Sequence, residues 1–359
     1  SDFMNYYRVA FDQGLERSWQ QWRFPSQRNY SPTYYALGYM AVGGLRTFYD
    51  IPTYMNNGFD LSARRPYNLA AFHTTVKNMT GKAFKTAFKE ICDTLTVIWR
   101  EEADARAPYI PAEPVTKEPK LYTDYRSLVF VGNDLYKDKS GHLTTPEIVR
   151  IDPALTEKRL SRVASAAGEM RPDAEGNLFW SEDRTASRWS LKTVSSIIRL
   201  EKGEVKGKKF GKNGIIYNPA PSPDGTRIAV VKYSPSGGSS IDMMDTASEG
   251  ITASVSAPDS LQLVEMAWLD DTHIYASAIS DNGYGIYRLS VDGNSWTTIL
   301  APQPVMIKDF RGYGKELIFT CDRTGVNELY HLDPLSGELT QKTATRHGAE
   351  NFAYSPEGY

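Results

Sequence analysis

The chain is poor in cysteine and histidine for its length, with two cysteines and five histidines among 359 residues. Two thiols, Cys92 and Cys321, cannot build a disulfide framework, and they leave the redox compartment and their own pairing open. No two of His73, His142, His273, His331 and His347 stand four apart, which excludes a zinc helix of the His-Glu-x-x-His kind. No Gly-x-Ser-x-Gly elbow occurs, so the serine nucleophile of α/β-hydrolases is missing. Gly207-Lys208-Lys209 lacks both the four-residue spacing and the following hydroxyl of a phosphate loop. No apolar run approaches eighteen residues, so no transmembrane segment is expected. Neither sign of charge is in excess: 41 basic against 43 acidic residues leave a net charge of −2. That balance argues against a polyanion binder and excludes nucleic acid as a first choice of partner.

What is present describes a folded chain, with 41% hydrophobic and 23% charged residues and a mean hydropathy of −0.45. At roughly 150 residues per domain, two domains are expected. The first spans residues 1–103 and is helical. Phe3, Tyr7, Ala10, Phe11, Leu15, Trp19 and Trp22 recur at three-and-four spacing, predicting one helix over Asp2–Trp22 that ends before Pro25. Ser31-Pro32 supplies a cap and a first-turn proline for a second, whose Gly38, Gly43 and Gly44 call for close backbone packing. A third helix is expected over Asn68–Met79, closed by Gly81, and a fourth over Lys82–Ala103. Of the 43 aromatic residues, 20 precede residue 105. Most belong in a core, but Trp19, Trp22, Tyr34, Tyr39 and Tyr54 are candidates for lining a binding groove. Residues 104–120, with Pro108, Pro111, Pro114 and Pro119, read as an extended linker.

From Leu121 onward the periodicity becomes strand-like and one phrase returns. Its second apolar run begins at Ile148, Ile197, Ile241, Ile286 and Leu329, in steps of 49, 44, 45 and 43 residues. Turns precede the first runs: Arg171-Pro172-Asp173-Ala174-Glu175-Gly176, Ser222-Pro223-Asp224-Gly225, Trp268-Leu269-Asp270-Asp271 and Ser355-Pro356-Glu357-Gly358. In these turns Ser or Asp caps, Pro presets φ and Gly takes the left-handed conformation. A four-stranded antiparallel unit of this size cannot bury both faces alone, and radial stacking solves the problem. The expected fold is α+β and multidomain: a helical bundle followed by a β-propeller over residues 121–359, with five blades and the start of a sixth at Ala349–Tyr359. Because the chain starts Ser-Asp-Phe and stops within a repeat, it reads as a piece of a longer protein.

Ser222-Pro223-Asp224-Gly225, then Ile228-Ala229-Val230-Val231 and Ile241-Asp242-Met243-Met244-Asp245, resembles the WD40-like repeat of TolB-type propellers. The helical part, through Tyr34-Tyr35-Ala36-Leu37-Gly38-Tyr39, Arg65-Pro66-Tyr67 and Thr80-Gly81-Lys82 with the helix to Trp99, is similar to the segment after the zinc site of gluzincin-like (peptidase MA-like) domains. Together the resemblances imply an extracytoplasmic protein of the periplasm, the cell surface or the secreted fraction. The family's zinc motif is absent, and any such motif in the parent protein lies before Ser1. Gln13-Gly14-Leu15-Glu16 faintly echoes the third-ligand helix, with Gln where the metal-binding Glu stands. No zinc ligand is therefore carried over.

No catalytic residue, metal ligand or cofactor is assigned. His73 reads as a packed or capping histidine, Cys92 and Cys321 as buried thiols, and Lys206, Lys208, Lys209 and Lys212 as a solvated hairpin. Asn78-Met79-Thr80 is a formal sequon at a helix end where Thr80 has a capping role. The first functional expectation is a noncatalytic binding or scaffold module whose propeller holds a peptide, protein or glycan. One alternative is part of a zinc metallopeptidase with its metal-binding half upstream. Another is an envelope transport component similar to TolB.

Overall fold

The computed structural model describes all residues except 1, 16, 27–29, 32–33, 114–118, 167, 187, 189–190, 259–260 and 356–359. The expectations resting on Glu16, Pro32, Pro114 and the Pro356-Glu357-Gly358 turn therefore lie outside the described residues. The chain divides into two compact units, Ser1–Tyr109 and Ile110–Tyr359.

The first unit holds six helices: α1 (Asp2–Asp12), α2 (Trp19–Arg23), α3 (Tyr34–Phe48), α4 (Tyr54–Arg64), α5 (Ala71–Thr80) and α6 (Phe84–Ala105). The single helix expected over Asp2–Trp22 is two. Gly14 adopts φ +73°, while Leu15 N donates to Ala10 O at 2.8 Å and Gly14 N to Phe11 O at 3.1 Å. That pair of bonds is a Schellman stop, and it overrides the apolar period. Ser18 then opens α2 through a reciprocal capping box with Gln21. Helix α4 was not anticipated. It packs by Gly58, where an added Cβ would stand 2.4 Å from the Phe72 ring. Gly44 of α3 likewise faces Ile91 of α6, again at 2.4 Å, whereas a Cβ at Gly38 or Gly43 would meet nothing. Gly81 closes α5 at φ +73°, and Thr80 Oγ1 accepts from Lys82 N at 3.0 Å beside it. Tyr7, Trp22, Leu37, Leu45, Val76 and Ile91 make the buried centre.

In the second unit five antiparallel sheets of four strands follow one another. They are β1 (Thr123–Val131), β2 (Asp134–Gly141), β3 (Glu147–Ile151) and β4 (Glu157–Arg162); then β5 (Arg171–Pro172), β6 (Leu178–Thr185), β7 (Thr193–Leu200) and β8 (Lys208–Gly214). The third sheet is β9 (Ile216–Pro221), β10 (Arg227–Tyr233), β11 (Ser239–Asp245) and β12 (Ile251–Ser256). The fourth is β13 (Gln262–Asp270), β14 (His273–Ser280), β15 (Gly283–Ser290) and β16 (Ser295–Gln303), and the fifth is β17 (Ile307–Tyr313), β18 (Glu316–Cys321), β19 (Glu328–Leu332) and β20 (Leu339–Gln341). First strands pack on first strands of the neighbouring sheets, while fourth strands such as β12 are exposed, so each sheet runs from the axis outward. Middle strands are buried on both faces, as Ile228, Ala229, Val230 and Val231 of β10 show. Apolar side chains fill the gap between blades, Met266 and Trp268 of the fourth blade packing with Ala229 and Val231 of the third. This is the β-propeller architecture.

The turn chemistry is realised at Ser222-Pro223-Asp224-Gly225. Gly225 takes φ +71°, Gly225 N donates to Ser222 O at 3.0 Å, and Ser222 Oγ accepts from Arg227 N at 3.0 Å. Asp224 Oδ1 accepts from Ser222 Oγ at 2.5 Å and from Thr226 N at 3.0 Å, and these two bonds hold the pKa of its carboxyl below the ordinary carboxylate value.

The blade count is five, not six. Residues 349–355 form no strand of a sixth sheet among the described residues. An apolar first run predicts a strand only where a second strand pairs with it, and here side chains hold the segment instead. Asn351 N donates to Asp309 Oδ2 at 3.0 Å, and Tyr354 stacks on Tyr313 with ring centroids 4.1 Å apart.

A candidate binding site at the propeller axis

One backbone device recurs beside the axis. Ser127 (φ +52°), Gly168 (φ +91°), Asn218 (φ +52°), Asp309 (φ +54°) and Asn351 (φ +54°) are all left-handed. Ser127, Asn218 and Asp309 sit at irregularities of register in the first strands of their sheets. Such bulges bend a strand and re-aim the residues after it, and Asn, Asp and Gly tolerate the conformation best. The residues that follow, 129–130, 171–172, 220–221, 311–313 and 352–354, line one cavity of about 250 Å³ together with 266–268 of β13. Segment 352–354 thus stands at the axis with the first strands.

The cavity wall is aromatic and cationic. Phe130, Trp268, Tyr313, Phe352 and Tyr354 provide rings, and Arg171 and Arg311 provide the charged groups. Trp268 is fixed from behind, its Nε1 donating to Ala220 O at 2.9 Å. Arg171 Nη2 donates to Phe310 O at 2.8 Å and lies 3.8 Å from Glu265 Oε1. Arg311 Nη1 donates to Leu128 O, and its Nη2 pairs with Glu169 Oε2 at 3.2 Å. Its guanidinium also lies over the Phe352 ring, 5.4 Å from the centroid. Each arginine therefore ties together parts of the ring remote in sequence.

Behind the wall, Glu265 Oε2 accepts from Phe310 N at 2.7 Å. Burial pushes the Glu265 carboxyl up to about 7, against the opposing pull of Arg171. Burial also pulls Arg311 down to about 10, with the like charge of Arg171 as the next cause. Asp309 Oδ2 accepts from Thr320 Oγ1 at 3.1 Å.

The five rings singled out in the helical unit are not brought together. Trp22 and Tyr54 are buried, at 2% and 5% exposure, while Tyr34 and Tyr39 are each 65% exposed. Trp19, half-buried, meets Phe84 and Phe88 edge-on. Tyr34 stacks on Tyr35, Tyr39 meets Phe3, and Tyr54 packs near Phe72. Trp19 and Trp22 share a cavity of about 850 Å³. His73 stacks on Phe84 with centroids 4.4 Å apart, and burial lowers its basicity. Cys92 and Cys321 are free thiols, and burial raises Cys92 to about 12. Among the described residues no group of three or more His, Cys, Asp or Glu is placed to hold a metal ion.

Arg171 and Arg311 were not recognised from sequence. The signal available was an arginine just ahead of or inside a first strand, where the third blade carries Ala220.

No protein-family model matches the chain, and no curated protein sequence does. Solved structures do. A protein assigned as TolB from Agrobacterium tumefaciens is 15% identical, with a TM-score of 0.50 over 65% of this chain and 87% of that one. The β-propeller domain of the Trilobed protease from Pyrococcus furiosus is 13% identical, with a TM-score of 0.44 over 65% of this chain and 89% of that one. TolB from Acinetobacter baumannii is 15% identical, with a TM-score of 0.43 over 59% of this chain and 52% of that one. Identities this low establish fold alone. The second unit is a β-propeller with TolB propellers among its structural neighbours.

Proposed function

We propose that this chain is a noncatalytic binding module of an extracytoplasmic protein, and that the axial cavity of its propeller receives part of a peptide, protein or glycan. One observation carries the reading: all five blades and residues 352–354 present side chains to the same cavity, three of them through a left-handed bulge in the first strand. A ligand group seated there touches every repeat at once. Rings such as Tyr313 and Phe352 offer rigid contact area at low cost in side-chain entropy, which suits recognition. The extracytoplasmic location rests on the resemblance of the repeats to TolB-type propellers, as does the alternative of an envelope transport component. The helical unit's likeness to gluzincin-like domains supports a role beside a peptidase, without giving any residue of this chain a part in metal binding.

The test is an array of peptides and glycans probed with the intact chain, followed by affinity measurement on the best binders. Tyr313→Ala and Phe352→Ala should each weaken those binders by tenfold or more. Binders that ignore both changes would place recognition elsewhere and end this reading.

A further inference from the structure

The near-zero net charge of the chain hides an uneven distribution. Between residues 184 and 212 stand nine basic residues and two acidic ones, while outside that segment acidic residues exceed basic ones by nine. The fold gathers part of the basic excess in one place. A cleft of about 680 Å³ lies between the first two blades, bordered by β4, the outermost strand of its sheet, and by β6, β7 and the loop joining β7 to β8. Its size falls within the range of roughly 300–1,000 Å³ usual for ligand sites.

Arg162, Arg184, Lys206 and Lys209 line this cleft with one carboxylate, Glu182. Glu182 is already engaged, since its Oε1 accepts from Trp180 Nε1 at 3.0 Å and its Oε2 lies 3.4 Å from Arg184 Nη2. The side chains of Arg162, Lys206 and Lys209 are exposed and make no hydrogen bond or ion pair among the described residues. Of the two acids in the basic segment, Glu201 faces Lys208 at 3.9 Å, and Glu204 is not part of the lining. The charges are held in place by backbone. Gly207 N donates to Ser161 Oγ at 3.2 Å, so Lys206 and Arg162, from different blades, are each the sequence neighbour of one end of that bond. A Cβ at Gly207 would stand 2.8 Å from the Trp180 ring, which seats the loop against blade two. The same lining offers exposed apolar groups, Pro146, Ala164 and Val205, the last 54% exposed.

Charge and apolar surface together select the partner. Three unpaired cations favour an anion, and complementary charge across an interface fixes partner and register. A long polyanion such as a sulfated polysaccharide or a nucleic acid would run past the cleft onto a chain that is acidic elsewhere. A short acidic segment of a protein keeps its charge within the cleft and brings side chains to set against Pro146, Ala164 and Val205. We propose that the outer cleft between the first two blades docks an acidic segment of a partner protein, its carboxylates pairing with Arg162, Lys206 and Lys209 and its apolar side chains resting on Val205 and its neighbours. This surface is separate from the axial cavity and does not depend on the reading given to it.

The experiment is fluorescence anisotropy on the intact chain at about 150 mM salt, where exposed charges more than about 8 Å apart are largely screened. The probe is a dye-labelled peptide Asp-Leu-Glu-Asp-Val-Glu-Leu-Asp, compared with a form carrying Asn and Gln for its acids, a form carrying Ser for its Leu and Val, a heparin octasaccharide and a short DNA duplex. The acidic peptide should bind at least tenfold more tightly than the amide form and threefold more tightly than the serine form. Arg162→Glu, Lys206→Glu and Lys209→Glu should each weaken it fivefold or more. Lys212→Glu, also exposed but outside the cleft, makes the same change of net charge and should weaken it less than twofold. Val205→Ser should bring the acidic and serine peptides within twofold of each other. An equal loss from Lys212→Glu and the three cleft variants would mean diffuse attraction and overturn the site. So would an amide or serine form that binds as tightly as the acidic peptide, heparin or DNA that binds more tightly, or no binding of the acidic peptide at millimolar concentration. A dimer in gel filtration that Lys206→Glu disperses would give the cleft to a second copy, against the proposal. Loss of binding in Tyr313→Ala would move the peptide to the axial cavity and overturn the cleft alone, so the two readings fail separately.

Discussion

Replacing Glu265 by Gln should make the propeller more stable at alkaline pH, and the size of the gain follows from burial. Glu265 is 8% exposed, and burial raises its carboxyl from 4.5 to about 7. Below pH 4.5 the group is protonated in both folded and unfolded chains and contributes nothing to the pH dependence. Between 4.5 and 7 the folded chain holds a proton that the unfolded chain has lost, so stability falls as pH rises. Above 7 the loss is complete. At 1.36 kcal/mol for each pH unit of displacement, the difference amounts to about 3 kcal/mol. Gln keeps an oxygen to accept from Phe310 N, now at 2.7 Å, and carries no charge to desolvate. Urea denaturation followed by tryptophan fluorescence at pH 4.5, 6, 7 and 8 measures the difference between the two proteins. They should agree at pH 4.5 and diverge by about 3 kcal/mol in favour of the variant at pH 8. Comparing the two cancels other titrating groups such as Asp138, which burial raises to about 6. A variant less stable than the parent at pH 8 would mean that the Arg171–Glu265 attraction outweighs desolvation, and the argument would be wrong.

Three further substitutions probe the fold. Trp22→Ala removes a ring packed against Tyr6, Tyr7 and Phe11; a loss of about 3–5 kcal/mol is expected in urea denaturation read by circular dichroism at 222 nm, and a loss below about 1 kcal/mol contradicts the packing. Ser222→Ala deletes the hydroxyl that accepts from Arg227 N; it should cost about 1 kcal/mol in thermal unfolding, and no measurable change argues that the hydroxyl does not hold the turn. Gly283→Ala places a Cβ 2.0 Å from Gln303 O at φ +104°; the variant should yield little folded protein in gel filtration, and a normal elution profile refutes the close approach.

The repeat was legible because its signals are local. Turn residues such as Ser222 and Gly225, and the runs at Ile148, Ile197, Ile241, Ile286 and Leu329, act within a few residues of themselves. The helical unit was read less well where tertiary contact decides. Gly14 ends α1 inside an unbroken apolar stripe, and α4 depends on the Phe72 ring lying against Gly58. The groove proposed among five rings gathered residues by type, but Trp22 and Tyr54 were claimed by the core. The axial site was hidden for a different reason. Arg171 reaches Phe310 across 139 residues, and Arg311 reaches Leu128 across 183. No window along the chain contains such a pair. The left-handed positions at Asn218, Asp309 and Asn351 look like ordinary loop residues until the strands are placed.

Photo-crosslinking tests the central claim most directly. An array-selected ligand carrying a benzophenone at its bound end is irradiated with the intact chain, and the adducts are mapped by mass spectrometry. The account predicts adducts on the axial segments 129–130, 266–268, 311–313 and 352–354. Adducts confined to residues 1–109, or to the outer strands β4, β8, β12, β16 and β20, would contradict it.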